Sequence, residues 1–245
     1  MSLAPGTEDR IARHCAERLD CSPAAFEEPG VAVVESDNEG TVRLLHRGDA
    51  LVVAAPADYR DALTNAGGAI LAAELPAANA VSAALAEHTG ATVESSYGPY
   101  FLGYVDEPSF SPVDSEARLL VGTDRSAFEA LRERVPDDDW SRASPVFRPG
   151  QTAGLFRDDA LVAVATLTHL PFPDVGIVVD PAHRGRGYGR AVVSKMTATA
   201  FSIDAEAVVR YRTRESAGAS VALATALGYE QWARSAVLVL DQGSP

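Results

Sequence analysis

The stretch Val175-Gly176-Ile177-Val178-Val179-Asp180-Pro181-Ala182-His183-Arg184-Gly185-Arg186-Gly187-Tyr188-Gly189-Arg190 decides how this chain is read. Its first five residues are apolar and mostly β-branched, the composition of a buried strand. Asp180-Pro181 ends that strand, and a helical pattern runs from about Gly187 to Phe201. Glycines at a strand-to-helix turn let backbone N–H groups converge without a Cβ in the way. The helix N-terminus adds unpaired donors and the positive end of its dipole. Arg184, Arg186 and Arg190 gather positive charge in a chain whose formal net charge is −13. Locally, the sequence describes an anion site of the size and chemistry of a pyrophosphate.

Other readings of the loop are weaker. The dinucleotide fingerprint G-x-G-x-x-G fails, because Arg190 stands where its last glycine belongs. A P-loop fails, because no Gly-Lys-Ser/Thr follows. The remaining alternative is a glycine-rich turn that only joins strand to helix.

Working outward, Gln151–Phe156 and Leu161–Thr168 read as a hairpin around Arg157-Asp158-Asp159. Arg118–Gly122 reads as a strand and Asp124–Val135 as a helix. Downstream come a strand at Ala207–Arg212, a helix at Ala217–Leu227 and a strand at Ala236–Leu240 expected to close the sheet. Hairpins mixed with crossover helices predict an α/β (α+β) domain: a mixed, mostly antiparallel sheet flanked by helices, over residues 117–245.

The segment Asp106–Ser115, broken by Pro108 and Pro112, marks a boundary. Before it, residues 1–110 read as a smaller α+β region. Ile11, Cys15 and Leu19 form a helical stripe. Strand-like runs follow at Val31–Glu35, Thr41–Leu45 and Leu51–Ala55, then helices at Ala57–Asn65 and Ala77–His88. Nothing in this region has catalytic spacing, so it is expected to gate substrate or to mediate a homodimer.

The chain has 245 residues, 47% hydrophobic and 22% charged, the balance of a globular protein. No apolar run approaches the length of a membrane span, and the charged N-terminus does not read as a signal peptide. A cytoplasmic location without membrane attachment is therefore expected. The acidic balance argues against nucleic acid as a partner. Cys15 and Cys21 are the whole thiol inventory, and neither they nor any histidine cluster has metal-ligand spacing.

Val179-x-Pro181-x-x-Arg184-Gly185-x-Gly187-x-Gly189 resembles the acyl-CoA motif of the GNAT superfamily of N-acetyltransferases. Tyr211 to Ser216, then Ser220, Leu223-Ala224 and Leu227-Gly228-Tyr229, resemble that superfamily's second conserved stretch. The resemblance covers about residues 117–240. It implies acetyl-CoA, or another acyl-CoA, as co-substrate, and a small-molecule or peptide amine as acceptor. It implies that backbone groups of Ile177, Val178 and Val179 hold the pantetheine arm. Arg184, Gly185, Arg186, Gly187, Tyr188, Gly189 and Arg190 would hold the pyrophosphate, with Ser220 packed near the cofactor.

A thioester is already activated, so such a protein must position an amine and stabilise the oxyanion, and needs no side-chain nucleophile. It does need a base for the ammonium proton. Glu215 is the first candidate, followed by Asp174 and His169, while Tyr211 and Tyr188 are candidate proton donors. Arg210, Arg212 and Arg214 share one face of a strand, as a solvated edge or as a phosphate contact. The sequence departs from the family where Ala217 replaces a frequent Asn and Ala224 replaces a frequent proton-donating Tyr. Those changes keep alive a second reading, a non-catalytic acyl-CoA-binding or regulatory module.

Overall fold

The structure, a computed structural model, describes residues 2–38, 40–73, 76–168 and 172–241. In chain order the elements are α1 (Pro5–Leu19), β1 (Gly30–Glu35), β2 (Thr41–Arg47), β3 (Ala50–Ala55), α2 (Ala57–Asn65), α3 (Gly67–Ala72), α4 (Ala77–Thr89) and β4 (Val93–Val105). There follow β5 (Arg118–Leu119), α5 (Arg125–Arg134), α6 (Asp137–Ala143), β6 (Thr152–Arg157), β7 (Ala160–Leu167) and β8 (Val175–Val179). The chain continues through α7 (Tyr188–Ile203), β9 (Val209–Arg214), α8 (Gly218–Ala226) and β10 (Glu230–Leu240). The result is a mixed α/β fold with mostly antiparallel strand pairing. No helix among the described residues is long and apolar enough to cross a membrane.

Contacts gather the chain into two compact units. The N-terminal unit comprises Pro5–Leu102, Thr213–Ser216 and the chain from Gln231 on. Here β1 pairs with β3 in parallel, and β2 pairs antiparallel with both β3 and β10. A core of Val42, Leu44, Leu51, Val53, Leu63, Val81, Leu85 and Leu238 fills it. The stripe expected on α1 is present, with Ile11 and Cys15 buried and Ala12 and Ala16 beside them.

β10 corrects the expectation that Ala236–Leu240 closes the sheet of the C-terminal half. Its residues pair instead with β2, Ala236 opposite Leu44 and Leu238 opposite Val42. Alternation is the reason: Ala236, Leu238 and Leu240 are buried in the same core as Val42 and Leu44.

The loop unit comprises Gly103–Arg212, Ala217–Glu230 and the chain up to Ala4. Its sheet has the order β5-β6-β7-β8, antiparallel throughout. Asp158 and Asp159 are both left-handed (φ 48° and 63°), the geometry of a tight hairpin turn, and so place β6 beside β7. α5 and α6 pack on one face: Val178 lies in a core with Leu120, Phe128, Leu131 and Val164, against Trp140 and Ala143. On the other face α7 lies over β6, β7 and β8. α6 was not legible, being one short helix between Pro136 and a left-handed Ser144.

Candidate functional site

The site is confined to the loop unit and begins with the way β8 stops pairing. On one side β8 is bonded to β7 along its length, with Val178 opposite Val164. Thr168 N–H donates to Asp174 O (3.1 Å) and Asp180 N–H to Val162 O (2.9 Å). Antiparallel alternation therefore directs Gly176 and Val178 at β7, and turns the N–H and C=O groups of Val175, Ile177 and Val179 outward. On that outer side β8 meets β9 at a single parallel bridge, Asp174 to Arg210, where Arg210 N–H donates to Pro173 O (2.8 Å). Beyond the bridge, no ladder among the described residues joins the two strands. The outward-facing backbone at Ile177 and Val179 thus has no strand partner among the described residues, whereas Val178 is committed to β7.

Asp180 ends β8 and caps the single 3-10 turn Pro181–His183, accepting from Ala182 N–H. Gly185 and Gly187 follow with φ +75° and +79°, a conformation that L side chains rarely adopt. Open space surrounds the position of a Cβ at either glycine. The first helical bond of α7 is donated by Ala191 to Gly187 O. Among the described residues no backbone carbonyl engages the N–H groups from Gly185 to Arg190. That run of donors lies at the positive end of a 16-residue helix.

Gly189 has a different task. A Cβ there would lie 2.9 Å from Ile177 Cδ1 and 3.1 Å from Leu223 Cδ1, so this glycine lets α7 approach β8 and α8 closely. Gly176 does the same for α6, since its Cβ would fall 2.4 Å from the Ala143 carbonyl.

The arginines of the loop divide. Arg184 Nη2 pairs with Asp139 Oδ2 (2.8 Å), and its Nε donates to the outward carbonyl of Val179 (3.4 Å). The Arg184 hydrogen bond holds the Asp139 carboxyl below its ordinary value, with Arg142 adding to the effect. Arg186 and Arg190 are exposed, and no ion pair among the described residues engages them. Tyr188, the first residue of α7, lies under the Arg157 guanidinium, 4.9 Å from ring centre to Cζ. Its hydroxyl accepts from Arg157 Nε (3.3 Å), so Tyr188 is occupied locally.

The candidate acid and base residues separate likewise. Tyr211, 2% exposed, shares a 2.9 Å hydrogen bond with Ser220, so the structure brings these two together. Burial, helped by the Asp174 charge, pushes the Tyr211 hydroxyl up against the smaller opposing effect of Ser220. Asp174 Oδ2 pairs with Arg210 Nη2 at 2.9 Å, while its Oδ1 is buried with no hydrogen-bond partner. Glu215 is counted with the N-terminal unit, where its Oε1 accepts from both Arg234 Nε (2.5 Å) and Gln231 Nε2 (2.8 Å). His169 lies outside the described residues. Of the three basic residues on β9, Arg210 is half-buried and tied to Asp174, while Arg212 and Arg214 are exposed.

Sequence reasoning missed the pair beneath the loop, Asp180 with Arg134. It also missed a buried hydrogen bond of 2.6 Å between Tyr229 and Thr197. An Asp directly before a Pro at a strand end is the signal that could have marked the first. Among the described residues no group of His, Cys, Asp or Glu side chains is placed to hold a metal ion.

Residues 118–229 match the model of the acetyltransferase (GNAT) family. This segment, a little under half of the chain, is a GNAT-family domain. No curated protein sequence is similar enough to match it. Among solved structures it is similar to a GCN5-related N-acetyltransferase from Kribbella flavida, with 22% identity and a TM-score of 0.46, covering 67% of this chain and 64% of that one. A GNAT-family protein from Novosphingobium aromaticivorans shares 21% identity with a TM-score of 0.48, over 64% of this chain and 69% of that one. An acetyltransferase of the family from Colwellia psychrerythraea shares 13% identity with a TM-score of 0.47, over 61% of this chain. This chain covers 58% of the Colwellia protein.

Proposed function

We propose that the chain is an N-acetyltransferase that moves an acetyl group from acetyl-CoA to a primary amine by direct attack. The observation that carries the reading is the run of unpaired N–H groups from Gly185 to Arg190, continuous with the outward-facing backbone of Ile177 and Val179. Donors of the first kind suit a pyrophosphate, and an open strand edge suits the amide-bearing pantetheine arm. Acetyl-CoA supplies an acyl group already activated as a thioester. What this chain must add is position, a donor for the developing oxyanion, and proton transfer. The backbone N–H groups of Ile177 and Val179 are fixed by the β7 ladder and cost no reorganisation when charge develops.

Asp174 is the base best supported by geometry, since its Oδ1 is without a partner beside the point where the strands part. Glu215 has its Oε1 engaged twice, and His169 stays a candidate from the sequence alone. Tyr211, protonated at neutral pH and bonded to Ser220, is the acid proposed for the departing thiolate. The N-terminal unit is assigned a gating or dimerising role, with the loop and its helix as the acyltransferase domain.

A second reading, acyl-CoA binding without transfer, draws on Ala224, which is fully buried where many relatives place a proton donor. Calorimetry with acetyl-CoA, followed by a thiol-release assay over a panel of amines, tests both. Binding with turnover supports the enzyme, and binding without turnover on any amine supports the second reading. No binding would overturn both.

A further inference from the structure

A buried negative charge lies directly beneath the proposed anion-binding loop. Asp180 is 4% exposed, the last residue before the Pro181–His183 turn. Simple electrostatics argues against a carboxylate there, because it opposes a polyanionic ligand. Its contacts show what it does instead. Oδ2 accepts from Arg134 Nε at 2.7 Å, and Oδ1 from Ala182 N–H at 3.0 Å. Its own N–H is bonded to Val162 O, and its carbonyl accepts from His183 N–H at 2.8 Å. Arg134 carries the tie further, donating through Nη2 to Leu161 O (2.6 Å) and through Nη1 to Ala130 O (2.9 Å). One carboxylate therefore fixes the root of the loop to β7 and to the last turn of α5. His183 Nδ1, 3.7 Å from Asp180 Oδ2, is buried with no hydrogen-bond partner and leaves the grip on the carboxylate to Arg134 and Ala182.

We propose that Asp180, clamped by Arg134, is a positioning residue for the acyl donor: it sets the direction of the Gly185–Arg190 N–H groups and so secures the pyrophosphate, at the expense of its own charge. The inference rests on the acyl-CoA reading given above. Burying a carboxylate is tolerable only with both oxygens bonded, and here each of them is. Downstream, Gly185 and Gly187 have no Cβ and open space around them, so they offer little steric restraint of their own. The loop's orientation is therefore inherited from its root.

The sign of one substitution separates positioning from charge. Asp180→Asn removes a negative charge with almost no change of shape. If Asp180 acted only as a charge, affinity for CoA would rise. Positioning predicts the reverse, a CoA Kd about tenfold weaker by calorimetry, because the Arg134 tie is lost. Pantetheine, which lacks the pyrophosphate, should bind the variant as it binds wild type, a pattern that a general loss of packing would not give. Arg134→Gln should weaken CoA similarly, and the double variant should be no weaker than the worse single. CoA affinity in Asp180→Asn that is unchanged or increased overturns the proposal, as does equal weakening of CoA and pantetheine. Failure of wild type to bind CoA would instead overturn the acyl-CoA reading itself.

Discussion

Arg210 holds Asp174 at the parallel bridge beside β8 and β9, through a 2.9 Å ion pair from Nη2 to Oδ2 and the neighbouring bond from Arg210 N–H to Pro173 O. Burial opposes the Arg210 charge, but Asp174 and then Tyr104 outweigh it and push the guanidinium up. The side chains are 14% and 21% exposed, so removing either partner strands a mostly buried charge. Arg210→Met is expected to destabilise the protein by on the order of 3 kcal/mol. Asp174→Asn combined with Arg210→Met should restore part of that loss. Urea denaturation of the two variants checks this; a double variant as unstable as the sum of the singles would show that the residues act independently.

The open loop glycines Gly185 and Gly187 should behave differently from the tightly packed Gly176 and Gly189. Gly187→Glu meets open space, so the fold should survive at a cost of about 1–2 kcal/mol for the positive φ. The carboxylate would compete for the loop donors and repel phosphates, so CoA binding should weaken by more than 100-fold, or about 2.7 kcal/mol. Gly176→Ala, by contrast, drives a Cβ to 2.4 Å from a backbone carbonyl. It should lower Tm markedly, because α6 must move away from β8. Thermal melts set beside calorimetry separate the two effects, and the first idea fails if Gly187→Glu binds CoA normally.

Acid should loosen the loop unit through identifiable carboxylates. Arg184 lowers Asp139 and Arg118 lowers Asp124. At Asp180, burial alone would raise the carboxyl, but Arg134, the Ala182 N–H and His183 outweigh it and leave it below its ordinary value. A depressed folded pKa means that the stabilisation is complete above the unfolded value of about 3.9 and is lost as pH falls through the folded value. Tm should therefore be level above about pH 5 and fall below it. Asp180→Asn should flatten that decline. Melting curves across this range decide, and an unchanged slope in Asp180→Asn would remove Asp180 from the account.

The strand, loop and helix from Val175 to Phe201 were legible because each signal is local: β-branched residues, then Asp-Pro, then glycines that must take positive φ. The hairpin at Asp158-Asp159 was legible for the same reason. β10 was not, because alternation of Ala236, Leu238 and Leu240 states which face is buried but not which strand lies alongside. The partner, β2, is nearly the whole chain away. Side-chain pairing at the site was hidden in the same way. Arg134 and Asp180 meet across 46 residues of sequence and Arg184 and Asp139 across 45, with no spacing rule to announce either pair. Gly189 was read with the other loop glycines, although its packing role depends on Ile177 and Leu223 arriving from other elements.

Tyr211 offers the sharpest test of proton transfer, because its hydroxyl is held by Ser220 at 2.9 Å. Burial raises the hydroxyl's affinity for its proton, so it cannot serve as a base at neutral pH, and donation to a thiolate needs the hydroxyl's position rather than its acidity to favour it. With an amine that turns over, Tyr211→Phe should lower kcat by about 10²–10⁴-fold while leaving the CoA Kd within about twofold, the signature of an interaction made in the transition state. Ser220→Ala should cost far less, since it removes only the group that orients the hydroxyl. Steady-state kinetics on both variants, with CoA binding measured in parallel, read the two effects separately. Full activity in Tyr211→Phe would transfer the acid role to solvent or to another residue, and a large loss of CoA affinity would mean that Tyr211 supports the groove rather than the chemistry.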